Sequence, residues 1–533
     1  MGNAMGGGGA ALQQQLARFR PEERATLSRG YDSIAHTRGP GTASTAAAAG
    51  KAAKQQGPGE GFNVAALRQF VQPALPEVLL LSLFRGMSHA YDPTLKKPAP
   101  AAEYVCQERF VRFVASVLRG GAEEQAAALC WMVGERNGGV ASQQVHQLVQ
   151  ELLEVAVQAL HHGKLLRGWQ LDKMADTREG AALVATALLA EIRRSDGSTA
   201  DTASGATTRD DVSGWLHRTP LVPALLSLLV TSSLRLELGH GHNLLPLPTE
   251  PAPSSSSSPS SDDNDGGGGA GPSAETPAPD EDPRRALAPL LVPPACEGVA
   301  WSQLGVGSGG GGGRGPRLLL DVPSMLHLGV HLPGELRNRW RLLFSSRLQG
   351  ESFSRLCGLA VGQGPTLLLV EDVDGHLFGG FASASWEVKP QFQGSSHCFL
   401  FSLRPSVGVY SCTGYNDHYM YLNHGQQTMP NGLGMGGQHD YFGLWLDSDY
   451  GRGHSRAKPR CTTYGSPQLS AREEFSLSAV EVWGLGSPPE RAQGSGGKAR
   501  SVLDADPEVQ AMLEMAGKVK HSDGLREPKA DES

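Results

Sequence analysis

The sequence predicts a multidomain α+β chain: an all-helical front half, then a strand-rich unit, then a short amphipathic helix near the end. Three observations carry this. Between Phe62 and Leu238 apolar residues recur at helical spacing, as at Phe110, Phe113, Val114, Val117 and Leu118. From Leu318 they fall instead into short runs bounded by glycine, as at 366–370, 377–381, 398–403, 441–446 and 480–483. Between these regions, residues 239–316 carry a serine run, the acids Asp262, Asp263 and Asp265, and two glycine runs, from which no core can form.

Composition agrees with a chain that is part linker. Its 533 residues correspond to about three units by length, but 68 Gly and 35 Pro make up nearly a fifth of them, against a usual share of about 12%. A net charge of −7 lacks the basic footprint of a nucleic-acid binder. Seven cysteines, an odd number with no C-x-x-C pair, argue against a disulfide framework and a zinc site and fit the reduced thiols of a cytosolic protein. No Asn heads a glycosylation sequon, and residues 1–11 lack a charged and apolar leader, so secretion is not expected. The apolar stretch 221–234 contains Pro223 and is too short to cross a hydrocarbon core of roughly 30 Å, so it reads as a buried helix.

Taken in order, residues 1–60 are expected to be mostly disordered, with two apolar sets, Leu12, Leu16 and Phe19, then Leu27, Tyr31 and Ile34, that suit one or two short helices. Gly2 behind the initiator Met is a candidate lipidation site, although Gly6 breaks the myristoylation pattern. Residues 61–238 form the helical domain. Two of its loops are spaced like EF-hands, yet Asp92 to Glu103 has Thr94, Lys96 and Lys97 at positions three, five and six. The second, through Asn137, puts Val133 first and Gln144 last. A degenerate, paired helix–loop–helix scaffold without calcium is the expectation. Residues 239–316 are linker, 317–486 the strand-rich domain and 487–533 a tail. In the tail, Asp506, Pro507 and Glu508 start a helix over 507–516. Its apolar face, Val509, Met512, Leu513 and Ala516, is about three turns long and needs another surface to be stable, so it is read as a partner-binding element.

Candidate chemistry is sparse. Gly432, Gly434 and Gly437 match G-x-G-x-x-G, but the context reads as loop then strand rather than strand then helix, so no dinucleotide site is expected. His418, His424, His439 and His454 cluster with Asp417, Asp440, Asp447 and Asp449 at spacings that match no ligand helix, and turn-forming roles are favoured. No G-x-S-x-G elbow is present, and Cys357, Cys398, Cys412 and Cys461 sit where inert thiols are the commoner case. Arg452, Arg456, Lys458 and Arg460, with His454 among them, form the one basic stripe. It suits either a charged sheet edge or contact with an acidic partner. No catalytic, cofactor or metal residue is therefore assigned.

Seven ordered blocks carry a resemblance: Trp340 to Ser346, Gly364 to Thr366, Phe378 to Ser383, Thr413 to Asn416, Gly443 to Asp447, Leu469-Ser470 and Glu481 to Gly484. Together they resemble the TLDc domain family. Within it, the helical front half, the run Gly414 to Gly425 and the segment Ser501 to Pro507 are most similar to the branch associated with mTOR at the lysosome, from which the expanded Gly and Ser tracts depart. The resemblance implies a β-sandwich with peripheral helices, no established catalytic residues, and binding to the vacuolar-type proton ATPase. It also implies a role in lysosomal mTOR signalling toward ribosomal S-six kinase. The expectation is a non-catalytic adaptor on the cytosolic face of lysosomes. The alternative is an enzyme of oxidative defence that uses a TLDc thiol or the His/Asp cluster.

Overall fold

The computed structural model describes residues 7–37, 61–71, 75–89, 103–135, 139–192, 207–236, 238, 288–305, 317–426 and 429–489. The chain divides into two compact units, one of Met1–Arg167, Asp176–Pro293 and Leu320–His331, the other of Gly168–Ala175, Pro294–Leu319 and Leu332–Ser533.

The first unit is helical. Helix Gln107–Arg119 buries Phe110, Phe113, Val114, Val117 and Leu118, the set its 3.6-residue period requires. Helix Ala122–Val133 is buried on every side from Gln125 onward, its alanines allowing close neighbours. Helix Leu221–Ser233 is buried at every residue but Ser227, and Pro223 is tolerated because it lies in the first turn, where the missing N–H has no intrahelical partner. Among the described residues no helix is long and apolar enough to cross a membrane. Asp176 opens helix Thr177–Ala190 by accepting from Arg178 N at 2.9 Å and Glu179 N at 3.0 Å. Gly180 in that helix lies so close to the Asp321 carboxylate, which itself caps helix Val322–His331 through Ser324 N at 2.7 Å, that a Cβ would collide with it.

Helix–loop–helix repeats are joined in pairs by short antiparallel bridges. Phe62, before helix Val64–Val71, bridges Val105, before Gln107–Arg119. Strand β1 (Gly139–Val140), before helix Ser142–His162, pairs with β2 (Thr207–Thr208), before helix Arg209–Arg218, with Val140 opposite Thr207. The first loop expected from the sequence ends at Glu103. In the structure the following helix starts only at Gln107 behind the N-cap Cys106, so that frame is six residues early relative to the bridge. Residues 90–102 of it lie outside the described residues.

The second unit is antiparallel sheet. After β3 (Ala295–Glu297) come β4 (Arg339–Ser345), β5 (Thr366–Asp372), β6 (Leu377–Ala382), β7 (Lys389–Gln393), β8 (Phe399–Arg404), β9 (Gly408–Ser411), β10 (Met420–Asn423), β11 (Gly432–Gln438), β12 (Tyr441–Asp447), β13 (Arg452–His454) and β14 (Glu474–Leu485). The order is β7-β10-β11-β12-β13-β14-β5-β6-β8-β9, with β4 also on β14 and β3 parallel to β4. Strand β14 is the joint: its first residues pair with β13 and its remainder with β5 and β4. The two halves share one core, Phe344, Leu368, Val370, Phe378 and Leu400 from one side with Leu422, Leu433, Met435, Leu444 and Leu446 from the other. At Gly380 the approach of Met435 leaves no room for a Cβ. Helix Phe353–Ala360 adds Phe353, Leu356 and Ala360 to the same core.

Helices Gly7–Leu16 and Pro21–Ala35 carry the two apolar sets expected to form one or two short helices, and Phe19, Leu27 and Ile34 find buried sites. Two segments differ from the sequence expectation. Strand β3 falls inside the expected linker, held by backbone pairing to Arg339, Trp340 and Arg341 that its sparse apolar content does not announce. Residues 168–175, expected in the helical domain, join the β unit because the Trp169 ring lies tilted 5.0 Å from that of Trp483 and meets Trp340 edge-on at 6.4 Å, its indole donating to Pro294 O at 2.8 Å.

Candidate functional site

The glycine-rich run that imitates a nucleotide motif is itself strand β11 rather than the expected loop. Leu433 and Met435 face the core, so Gly432 and Gly434 face the other way. A Cβ on Gly434 would lie 2.6 Å from Phe442 Cδ1 and 2.8 Å from Trp445 Cε3. The glycines are therefore a flat platform for a second aromatic cluster, Tyr421, Phe442 and Trp445, with Phe392 packed against it. Phe442 and Trp445 stack at 4.5 Å, and the Trp445 indole donates to Asp447 at 2.6 Å.

This cluster takes up three of the four histidines. His418 stacks on Phe392 at 4.1 Å, His439 meets Tyr421 edge-on at 5.1 Å, and His454 stacks on Trp445 at 5.9 Å, while His424 lies apart against Phe353. Burial, and then the charge of Arg456, push His454 down to about 4, so it is a neutral ring rather than a proton carrier near neutral pH. Asp449 pairs with Arg452. Among the described residues no group of three or more His, Cys, Asp or Glu is arranged to hold a metal ion.

Beside the cluster, residues 412–418 form a braced loop. Thr413 N donates to Thr463 O at 2.8 Å and Thr413 Oγ1 to Thr462 O at 2.6 Å. Thr463 Oγ1 donates to Asn416 Oδ1 at 2.7 Å, and the His418 Nδ1–H to Gly437 O at 2.6 Å. Gly414 supplies the left-handed turn at φ +78°. At the tip Tyr415 is 79% exposed, the most exposed large apolar side chain among those described. An aromatic ring held out by so many hydrogen bonds has little entropy left to lose on docking, which suits a contact residue. The sequence offered Tyr415 only as part of a motif, and its neighbours Gly414 and Asn416 were the available sign of a turn.

The basic stripe supplies most of its own counter-charge. Arg452 pairs with Asp449 at 2.8 Å, Arg456 with Glu473 at 3.3 Å and with Glu474, and Lys458 with Glu473 at 2.9 Å. Arg460 donates to Gly465 O at 2.9 Å. Burial pushes the Cys357 thiol up to about 12 and raises Cys461, which disfavours the thiolate at both. Val509, Met512, Leu513, Ala516 and Gly2 lie outside the described residues.

Residues 314–486 match the TLDc domain family. Along its whole length the chain is 42% identical over 536 residues to MTOR-associated protein MEAK7 of Gallus gallus, covering 100% of this chain and 99% of that one. It belongs to the MEAK7 family of TLDc proteins. The human MEAK7 is 37% identical over 535 residues, with 100% of each chain covered. Over 172 residues, 32% of this chain and 19% of the other, it is also 34% identical to Oxidation resistance protein 1 of Xenopus laevis. The MEAK7 likeness therefore takes in the helical unit as well as the sheet. The braced loop, the aromatic platform and the basic stripe of this MEAK7-family chain all fall within its TLDc segment.

Proposed function

We propose that the chain is a non-catalytic adaptor of the mTOR pathway, peripheral on the cytosolic face of lysosomes, where it binds the vacuolar-type proton ATPase. The observation that carries this reading is the full-length likeness to relatives named MTOR-associated proteins. The lysosomal and ATPase parts rest on the TLDc resemblance. The presented Tyr415, the self-neutralised basic stripe and the thiols held protonated at Cys357 and Cys461 favour a binding surface over a reaction centre. Capture of the ATPase and of mTOR by the purified full chain tests the reading.

The helical unit we read as two pairs of EF-hand-like repeats that no longer hold calcium. In a functional hand the closing bidentate carboxylate is the third residue after the cap of the exiting helix. Here Asn63, Cys106, Ala141 and Thr208 occupy the capping place, and the closing residues are Ala66, Arg109, Gln144 and Asp211. Only Asp211 is a carboxylate, and it accepts from Thr208 N at 3.0 Å and Thr208 Oγ1 at 2.7 Å. Arg109 donates to Ser88 O. Calorimetry on the full chain should give no stoichiometric calcium isotherm at micromolar concentration. One that Asp211→Asn abolished would contradict this.

A further inference from the structure

Cys398 and Cys412 flank the β8–β9 hairpin. Its register pairs Phe399 with Ser411, Leu400 with Tyr410 and Phe401 with Val409, so one further step sets Cys398 opposite Cys412. Residues directly opposite in an antiparallel pair have Cα atoms about 4.5 to 5.5 Å apart. Disulfides span roughly 4.4 to 6.8 Å, so either kind of pairing is compatible with a bond. Strand alternation puts both side chains on the face of Leu400 and Tyr410, which is the core face.

The electrostatics of two nearby tyrosines agree with that register. The Tyr464 hydroxyl donates to Tyr419 O at 2.7 Å. Its phenol is raised by burial first, then by the Cys398, Cys461 and Cys412 thiols. The Tyr419 phenol is likewise raised by desolvation first and then by the Cys412 thiol, with Cys398 adding to the rise. Ser383 N donates to Cys398 Sγ at 3.3 Å, and Ser383 Oγ lies 3.2 Å from the same sulfur. The two thiols differ in access, Cys398 being buried and Cys412 only partly so.

We propose that Cys398 and Cys412 are a redox-active dithiol that a hydroperoxide oxidises to a cross-strand disulfide. Cys412, the accessible member, attacks a peroxide oxygen as its thiolate. The O–O bond breaks, the departing oxygen leaves as hydroxide and takes a proton to become water, and Cys412 carries a sulfenic acid. Cys398 then attacks the Cys412 sulfur. The S–S bond forms, the S–O bond breaks, and the oxygen leaves as a second water with the proton from Cys398. With hydrogen peroxide, two thiols lose two electrons and two protons in all, and one peroxide becomes two waters. Because Cys412 is the root of the braced loop, the bond would clamp the base of the element that presents Tyr415.

The test is a peptide map of the full chain, fully reduced, exposed to about one or two equivalents of hydrogen peroxide and then alkylated. Free thiols should fall by two from the seven present. One cross-linked peptide should join Cys398 to Cys412, and dithiothreitol should reverse it. Cys412→Ser should leave Cys398 unoxidised at the same dose, and Cys398→Ser should leave a Cys412 sulfenic acid that dimedone traps. A disulfide joining any other pair, or Cys412 advancing to sulfinic acid while Cys398 stays free in the native chain, would overturn the proposal. Should Cys398→Ser fail to fold by circular dichroism, the wild-type map and Cys412→Ser decide alone.

Discussion

Trp483→Ala is expected to destabilise the β unit by about 3 to 5 kcal/mol, the range for deleting a large buried aromatic side chain. Trp483 is fully buried on β14, opposite Leu342 of β4 and Leu367 of β5, with the Trp169 ring tilted against it at 5.0 Å. Its indole also donates to Glu481 Oε2 at 3.1 Å, so its removal leaves a buried carboxylate oxygen without that partner. Trp483→Phe keeps most of the ring and loses the N–H, and should cost about 1 to 3 kcal/mol. Guanidinium denaturation followed by far-ultraviolet circular dichroism measures both. An alanine variant as stable as the parent would mean that residues 168–175 are not held by this tryptophan cluster.

The second large effect is a pH dependence. Glu481 is 1% exposed, accepts from Leu319 N at 3.1 Å as well as from Trp483, and is pushed up to about 7, chiefly by desolvation. The two hydrogen bonds and Arg347 oppose the rise, and Glu371 adds to it. A folded-state value above the unfolded one means the native protein holds the proton more tightly. Stability from Glu481 is therefore present in full below about pH 4.5 and is lost as pH rises through about 7. His454, depressed to about 4, acts oppositely: its contribution is present above about 6.5 and fades as pH falls through about 4. The whole-chain profile mixes the two, so the informative quantity is the difference between the parent and Glu481→Gln. Between pH 5 and 8.5 that difference should swing by about 3 kcal/mol in favour of the variant. A constant difference would show that Glu481 is ionised in the fold at both pH values.

Much of the fold was legible because its signals are local. Helix Gln107–Arg119 announces itself through an apolar stripe, and β5 through an apolar run followed by a turn. What escaped depends on distant partners. Strand β3 exists through backbone pairing with β4, and Trp169 leaves the helical region for partners far along the chain, Trp340 and Trp483. Gly432 and Gly434 match the spacing of a nucleotide motif that their context already ruled out, and what the sequence could not show is that the missing Cβ atoms make room for the Phe442 and Trp445 rings. The sequence left the basic stripe open between a charged sheet edge and contact with an acidic partner because Glu473 and Glu474, which pair with Arg456 and Lys458, lie more than a dozen residues away from them.

The adaptor reading is tested most directly by capturing the vacuolar-type proton ATPase and mTOR from lysosomal extracts with the purified full chain, beside a Met512→Asp, Leu513→Asp double variant. Burying each of those side chains is worth roughly 1.5 to 3 kcal/mol. If the apolar set Val509, Met512, Leu513 and Ala516 makes the contact, charging both should weaken capture of the ATPase by orders of magnitude while the melting temperature stays that of the parent. Undiminished capture together with a lowered melting temperature would give Met512 and Leu513 a stabilising rather than a partner-binding role, and failure of the parent chain to capture either partner would contradict the adaptor function itself.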